Sequence, residues 1–375
     1  MSERRLYGEA SFGLISKFWS INWIYVLLLC ALATVGYAAL YSAAGGAAEP
    51  YAAKHGLRFA FGLMLMLGIA LVDIRIIARL SWVFYAVAIA LLVGVLRFGH
   101  IGKGAQRWIE IGGFQLQPSE LAKIALVLAL AHWFHRATWE RVGNPLFLIP
   151  PLIAVLIPVG LILKQPNLGT AVVTALVGGA VFFAAGVRWW KFLLVLAPIP
   201  FAVKYAYEHL HGYQRARIDI FLNPESDPLG TGYNIIQSKI AVGSGSLFGK
   251  GWHHGTQSRL EFLPEHTTDF IFAVFSEEFG LLGVALLLAL YLFIIGRGLW
   301  IAANARDTYS RLLAGSISMS FFVYVMVNGG MITGLLPVVG VPLPLISYGG
   351  TSAVSLLAGF GVLMSIHAHR KLVIS

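Results

Sequence analysis

Residues 269–296 read DFIFAVFSEEFGLLGVALLLALYLFIIG. From Phe270 onward the run holds two charged side chains, Glu277 and Glu278, and it exceeds the roughly 20 apolar residues that cross a hydrocarbon core of ~30 Å. Such a run is a membrane span, and it carries carboxylates where each costs a few kcal/mol to insert. The whole chain agrees: of its 375 residues 58% are hydrophobic and only 12% charged, with a mean hydropathy of +0.77. Soluble domains carry roughly 25% charged residues, and a soluble fold of this composition would expose large apolar patches. A soluble enzyme and a disordered chain are therefore excluded, and so is nucleic-acid binding despite the net charge of +10. The single cysteine, Cys30, rules out a disulfide framework and a cysteine metal cluster.

Working outward from this run, ten stretches read as spans, at about 22–44, 57–73, 81–98, 120–134, 146–164, 167–186, 189–206, 270–296, 312–334 and 342–366. The expected fold is all-α and polytopic. The first run follows Arg4, Arg5 and Lys17 and is read as a retained anchor, not a cleaved signal. No stretch shows the ten-residue alternation of an outer-membrane barrel. With the N-terminus inside, fourteen basic residues fall in cytoplasmic segments. Six fall in short outer loops: Lys54, Arg58, Arg97, Lys103, Arg107 and Lys164. That bias places both termini in the cytoplasm. The expected organisation is one domain over 1–375: a cytoplasmic start (1–21), helices one to seven (22–206), a large extracytoplasmic loop (207–268), helices eight to ten (269–367) and a cytoplasmic tail (368–375).

The large outer loop is long for a structureless connection, and loops of that length tend to be functional. Within it, residues 233–242 are amphipathic and predict a short helix lying at the membrane interface. Gly243, Gly245, Gly249 and Gly251 then permit close backbone approaches. Asp269 stands where the loop meets the eighth span, near enough to the surface to stay ionised. At 100° per residue Glu277 lies in the same half of the helix as Asp269 while Glu278 points to the opposite half, so the two glutamates serve different purposes. Desolvation favours their being paired or neutral; the other reading has all three acids making helix-to-helix contacts. The fourth span opens Gln117-Pro-Ser-Glu-Leu-Ala-Lys123, where Glu120 and Lys123 can pair at i,i+3, or Lys123 can attract an anionic headgroup. Before it, Lys103, Gln106, Arg107 and Trp108 form a basic, aromatic outer loop. Three prolines and four glycines between Gly334 and Gly350 break helical hydrogen bonding, which survives at membrane depth only where the backbone is buried or lines a cavity. Residues 164–170 form a second, shorter break. Together these features describe an outer-facing polar cavity with one carboxylate and several cations, a description that fits an enzyme or a transporter.

The motifs narrow this. Residues 243–252 (GSGSLFGKGW), 255–265 (GTQSRLEFLPE), 268–274 (TDFIFAV), 165–170 (QPNLGT), 344–350 (PLISYGG) and 117–123 (QPSELAK) closely resemble the SEDS family of shape, elongation, division and sporulation proteins. The Gly-Lys-Gly-Trp and Gly-Thr-Gln-Ser pieces resemble its elongation branch more than its division branch. The resemblance implies a peptidoglycan glycosyltransferase of the bacterial inner membrane that polymerises lipid II for rod-shape elongation. It also implies a class B penicillin-binding protein as transpeptidase partner, within a complex of elongation membrane proteins. The family's essential aspartate falls at Asp269. The chain departs from the family pattern at His266-Thr267, where a basic residue and a histidine usually stand, and at Asn167, where an aspartate is usual. Asp269 is thus the expected general base. For the diphosphate leaving group the expected cations are Arg107, Lys123, Arg215, Arg217 and Lys239, with Glu120, Gln237, Glu265 and Ser347 completing the substrate-contacting set. A Mg or Mn ion shared by Asp269 and the diphosphate is compatible with this chemistry, although no ligand spacing demands one. The competing functions are a lipid II flippase and a non-catalytic scaffold for the transpeptidase.

Overall fold

A computed structural model describes residues 14–102, 105–111, 114–198, 201, 215, 219, 223, 231–256 and 266–372. The chain opens with a short helix α1 (Leu14–Trp19), then α2 (Trp23–Ala43), α3 (Ala52–Leu71) and α4 (Ile74–Phe98). Three strands follow, β1 (His100–Gly102), β2 (Ala105–Ile111) and β3 (Phe114–Leu116). Next come α5 (Pro118–Phe134), α6 (Trp139–Gly143), α7 (Pro145–Lys164), α8 (Leu168–Ala184) and α9 (Trp189–Leu196). The remaining described helices are α10 (Thr231–Ser244), α11 (Ile271–Ala303), α12 (Thr308–Ile332) and α13 (Gly350–Leu372).

Helix starts are set by side chains that accept the otherwise unpaired first-turn amides. Asn22 accepts from Tyr25 N, Asp73 from Arg75 N, Asn167 from Thr170 N and Asp307 from Ser310 N. Pro118 and Pro145 sit in the first turns of α5 and α7, where a missing N–H costs nothing. Seven helices, α2, α3, α4, α7, α11, α12 and α13, are long and apolar enough to cross a membrane, and α8 is a shorter apolar helix. Each of the ten stretches expected from the sequence falls on one of α2–α5, α7–α9 or α11–α13. This is a multi-pass membrane protein.

Helix α5 runs through the middle of the bundle. Ala125, Leu126, Val127 and Leu128, four successive residues that together face every side of it, are all buried. Helices α12 and α13 are largely buried as well, while α3 and α4 turn most of their length outward. Such a layout explains why polar residues are tolerated on α5, α12 and α13 and are scarce on the outward faces.

The expected helical fold is present, with a small addition: the described residues between 100 and 116, before α5, form an antiparallel sheet in the order β1-β2-β3, with His100 opposite Trp108 and Ile109 opposite Leu116. The amphipathic segment is a helix, α10, as expected, and it packs on α11 and α12, with Ile235, Ser238 and Ala241 buried. Its apolar face meets protein.

Candidate functional site

Asp269 lies in the last turn before α11, at a corner built from three chain segments. Its backbone carbonyl accepts from Asn328 Nδ2 at 3.0 Å, and the same nitrogen donates to Val341 O at 2.7 Å. Two residues earlier, Thr267 O accepts from Tyr348 N at 2.9 Å. The corner is therefore held between α12 and the α12–α13 connection, residues 333–349. That connection keeps its own shape by further bonds. Tyr291 of α11 donates to Pro344 O at 2.7 Å, and Ser347 Oγ accepts from Leu343 N at 2.8 Å. Its glycines let the chain turn where other residues are strained: Gly340 has φ +69°, and a Cβ there would stand 3.3 Å from Asp269 Oδ2. The carboxylate thus rests against bare backbone. At the other end of the connection, the Lys239 side chain lies over Gly334, with Nζ 2.6 Å from where a Cβ would be. One loop carries an acid at Gly340 and an amine at Gly334.

The second feature is a break in α11. Gly280 takes φ 63° and ψ −165°, so the helix stops and restarts within the apolar span. A break at this depth strands carbonyls before it and amides after it, and each must find a protein partner. The glycine-rich segment 245–251 supplies all four. Lys250 N and Gly251 N donate to Glu277 O and Glu278 O at 3.0 Å each; Leu281 N and Leu282 N donate to Ser246 O and Leu247 O at 2.9 and 3.1 Å. Gly245 has no room for a Cβ, because the Ser276 carbonyl occupies that space.

The two glutamates beside the break divide their roles, as their different directions implied. Glu277 is completely buried, and its Oε1 accepts from Lys250 Nζ (2.6 Å), Thr256 Oγ1 (2.8 Å) and Thr256 N (2.9 Å). Glu278 accepts from Ser42 Oγ of α2. Trp252 completes the joint by stacking on Tyr41 of α2.

A third polar cluster lies deeper, on α5. Lys123 Nζ and Glu120 Oε1 pair at 2.7 Å, both side chains nearly inaccessible. Tyr324 of α12 donates to Glu120 Oε2 at 2.9 Å, and the Lys123 ammonium lies 4.6 Å from the Tyr324 ring centroid. The cluster borders a cavity of about 30 Å³, shared with Ser320 and Ser355.

The remaining sequence candidates are dispersed. Arg107 on β2 donates to Pro166 O at 3.2 Å, joining the sheet to the 164–170 break. Gln237 and Arg215 are half-buried, Lys239 is exposed, and Ser347 is buried inside the connection. Arg217 and Glu265 lie outside the described residues. Among the described residues no group of three or more His, Cys, Asp or Glu side chains gathers to hold a metal. Sequence reasoning passed over Asn328 and Tyr324, and gave Lys250 and Thr256 motifs but no partner. For Asn328 a usable signal existed: a lone amide in an apolar run must find partners when buried.

With this geometry in place, the comparisons fall on one family. Residues 19–372 match the cell cycle protein family of FtsW, RodA and SpoVE. The chain belongs to this family. It is 49% identical over 356 residues to the peptidoglycan glycosyltransferase MrdB of Escherichia coli (strain K12), covering 92% of this chain and 94% of that protein. To the probable peptidoglycan glycosyltransferase FtsW of Trichlorobacter lovleyi it is 39% identical, covering 93% of each. Among solved structures, a chain from a peptidoglycan synthase complex that coordinates polymerization and crosslinking superposes with a TM-score of 0.81. The identity is 31%, over 93% of this chain and 98% of that one. The Thermus thermophilus rod shape determining protein RodA superposes with a TM-score of 0.70 at 29% identity, over 93% and 97%.

Proposed function

We propose that this protein is a peptidoglycan glycosyltransferase that polymerises lipid II at the outer face of the bacterial cytoplasmic membrane during cell elongation. The observation that carries the reading is the 49% identity to a peptidoglycan glycosyltransferase across nearly the whole of both chains. Asp269, braced on two sides beside Gly340, is the base of that chemistry. It takes the proton from the acceptor sugar's hydroxyl as that oxygen bonds to the donor's anomeric carbon. The bond from that carbon to the diphosphate oxygen breaks, and undecaprenyl diphosphate leaves with the electron pair. A base in this role needs to reach within about 3 Å of the hydroxyl.

The departing diphosphate needs positive charge where its own negative charge develops. Lys239, exposed over the same loop, and Arg107 serve this best. Arg215 and Arg217 on the outer loop add to it. Lys123 is already neutralised by Glu120 and serves mainly to hold α5 to α12. Gln237, Glu265 and Ser347 contribute to the walls of the site. The charge bias of the loops supports a periplasmic site with both termini inside. A class B penicillin-binding protein is the proposed transpeptidase partner; the resemblance to a chain of a peptidoglycan synthase complex supports a synthase neighbour.

The test uses purified protein in detergent, where no leaflets exist, with lipid II as substrate. Glycan chains form with the parent protein and not with Asp269→Asn, whose thermal melt matches the parent. Chains from Asp269→Asn at a substantial rate would end the assignment of the base. No chains from the parent, alone or with its transpeptidase, would favour transport or scaffolding.

A further inference from the structure

We propose that Asn328 is a positioning residue for Asp269: its side-chain amide ties the backbone of the catalytic acid to the α12–α13 connection. The inference rests on the reading of Asp269 as the base. Asn328 is wholly buried near the C-terminal end of α12, and its one NH₂ group makes two bonds, to Asp269 O at 3.0 Å and to Val341 O at 2.7 Å. The two acceptors belong to segments far apart in the chain, and Asn328 bridges them through one nitrogen. Asp269 ends the outer loop, and Val341 directly follows Gly340, the residue against which the Asp269 carboxylate rests. A shift of one segment against the other would therefore move Oδ2 relative to the loop.

The chemistry of the side chain fits this task and few others do. A primary amide offers two diverging hydrogens from a single short-armed nitrogen. Aspartate has nearly the same shape but, when ionised, would set negative oxygens against two carbonyls. Leucine fills the space and leaves both carbonyls unpaired in a buried place. Glutamine carries the group a methylene too far. The bond from Tyr348 N to Thr267 O holds the other side of the corner through backbone alone, whereas the Asn328 strap is made by a side chain. That makes it the one accessible to substitution.

A misplacement of about 1 Å at a reacting group can cost on the order of 10²-fold in rate. Asn328→Ala, assayed as full-length protein with lipid II in detergent, is expected to lower kcat about 100-fold with KM within twofold of the parent. Asn328→His, which keeps one ring N–H in nearly the same place, is expected to fall between, at about 10-fold. In an Asp269→Ala background, Asn328→Ala should remove nothing further from any residual rate. A structural role alone predicts none of this grading, only a lower melting temperature or a change in KM. The proposal is overturned if both Asn328 variants keep kcat within twofold, if the loss appears in KM alone, or if neither variant melts cooperatively. An inactive Asp269→Asn beside fully active Asn328 variants would sink this inference and leave the base intact. An active Asp269→Asn would remove the base and, with it, anything to position.

Discussion

The Lys250–Glu277 pair gives the sharpest energetic expectation, because its geometry separates what each partner loses. Glu277 is fully buried and its Oε1 takes three donors; the Lys250 side chain remains 31% exposed. Lys250→Met leaves a buried carboxylate without its ammonium partner, while the two Thr256 donors remain. Breaking a buried ion pair from one side costs about 3–5 kcal/mol, and two surviving donors place this case near about 3. Glu277→Leu removes the charge altogether. Lys250 then rehydrates at little cost, but Thr256 N and Oγ1 lose their acceptor, at about 1–3 kcal/mol each when buried, or about 3 together. The double variant loses only those Thr256 bonds, again about 3 kcal/mol. The singles therefore sum to about 6 and the double to about 3, a coupling energy of about 3 kcal/mol, far above the ~0.5 expected of independent sites. Equilibrium unfolding of the four proteins in mixed detergent micelles measures it. Additivity within about 0.5 kcal/mol would refute the claim that this pair pins the glycine-rich segment to the broken helix.

Two further expectations follow from the same geometry. Gly280→Ala should destabilise by more than about 3 kcal/mol: its φ/ψ region is strained for any Cβ by about 1–3 kcal/mol, and the new methyl would meet Gly249 N, releasing four backbone bonds. Limited proteolysis should then cut within 243–256, and an unchanged melt with an uncut segment would refute the docking of that segment. Asp73, the cap of α4, offers a pH test. Burial raises its carboxyl pKa, but hydrogen bonds from the Arg75 side chain and backbone, then the His369 and Arg75 charges, outweigh it and bring the pKa from 3.8 to about 2. A lowered carboxyl pKa stabilises above the unfolded value and is lost as pH falls through the folded one. The stability gap between the parent and Asp73→Asn should hold from pH 7 to about 4 and close towards pH 2. A gap that closes near neutrality would assign it to another group.

What the sequence made legible follows from the range over which each signal acts. Apolar runs are local, so each of the ten expected stretches falls on a described helix, seven of them long and apolar enough to cross a membrane, and the prolines and glycines of 334–350 marked an irregular connection. Asp269 stood out because a carboxylate beside a span is costly wherever the neighbours lie. The pairing of Glu120 with Lys123 was within reach for the same reason, three residues apart on one helix. Partners far apart in the chain were not legible. Nothing near Glu277 names Lys250, and nothing near Asn328 names Val341. The sheet was missed because β1 and β3 are three residues each, too short to show alternation. The helix α10 was legible from its amphipathic pattern, but such a pattern records only that one face is buried and does not name the burying surface, here α11 and α12.

A helix that breaks inside a membrane needs a reason, since every group it strands must be paired again. Here the break cuts α11 into a short piece, Ile271–Phe279, and a long one, and the short piece begins immediately after the Asp269 corner. Were α11 continuous, the position of Asp269 would be set by the tilt and depth of one rigid rod in lipid. The break instead gives the short piece its own anchors: segment 245–256 at one end, through backbone bonds and the Lys250–Glu277–Thr256 cluster, and α12 with its following connection at the other. The position of Asp269 is thereby referred to the segments packed around it and uncoupled from how the long piece sits in the bundle, which serves the role proposed for this acid.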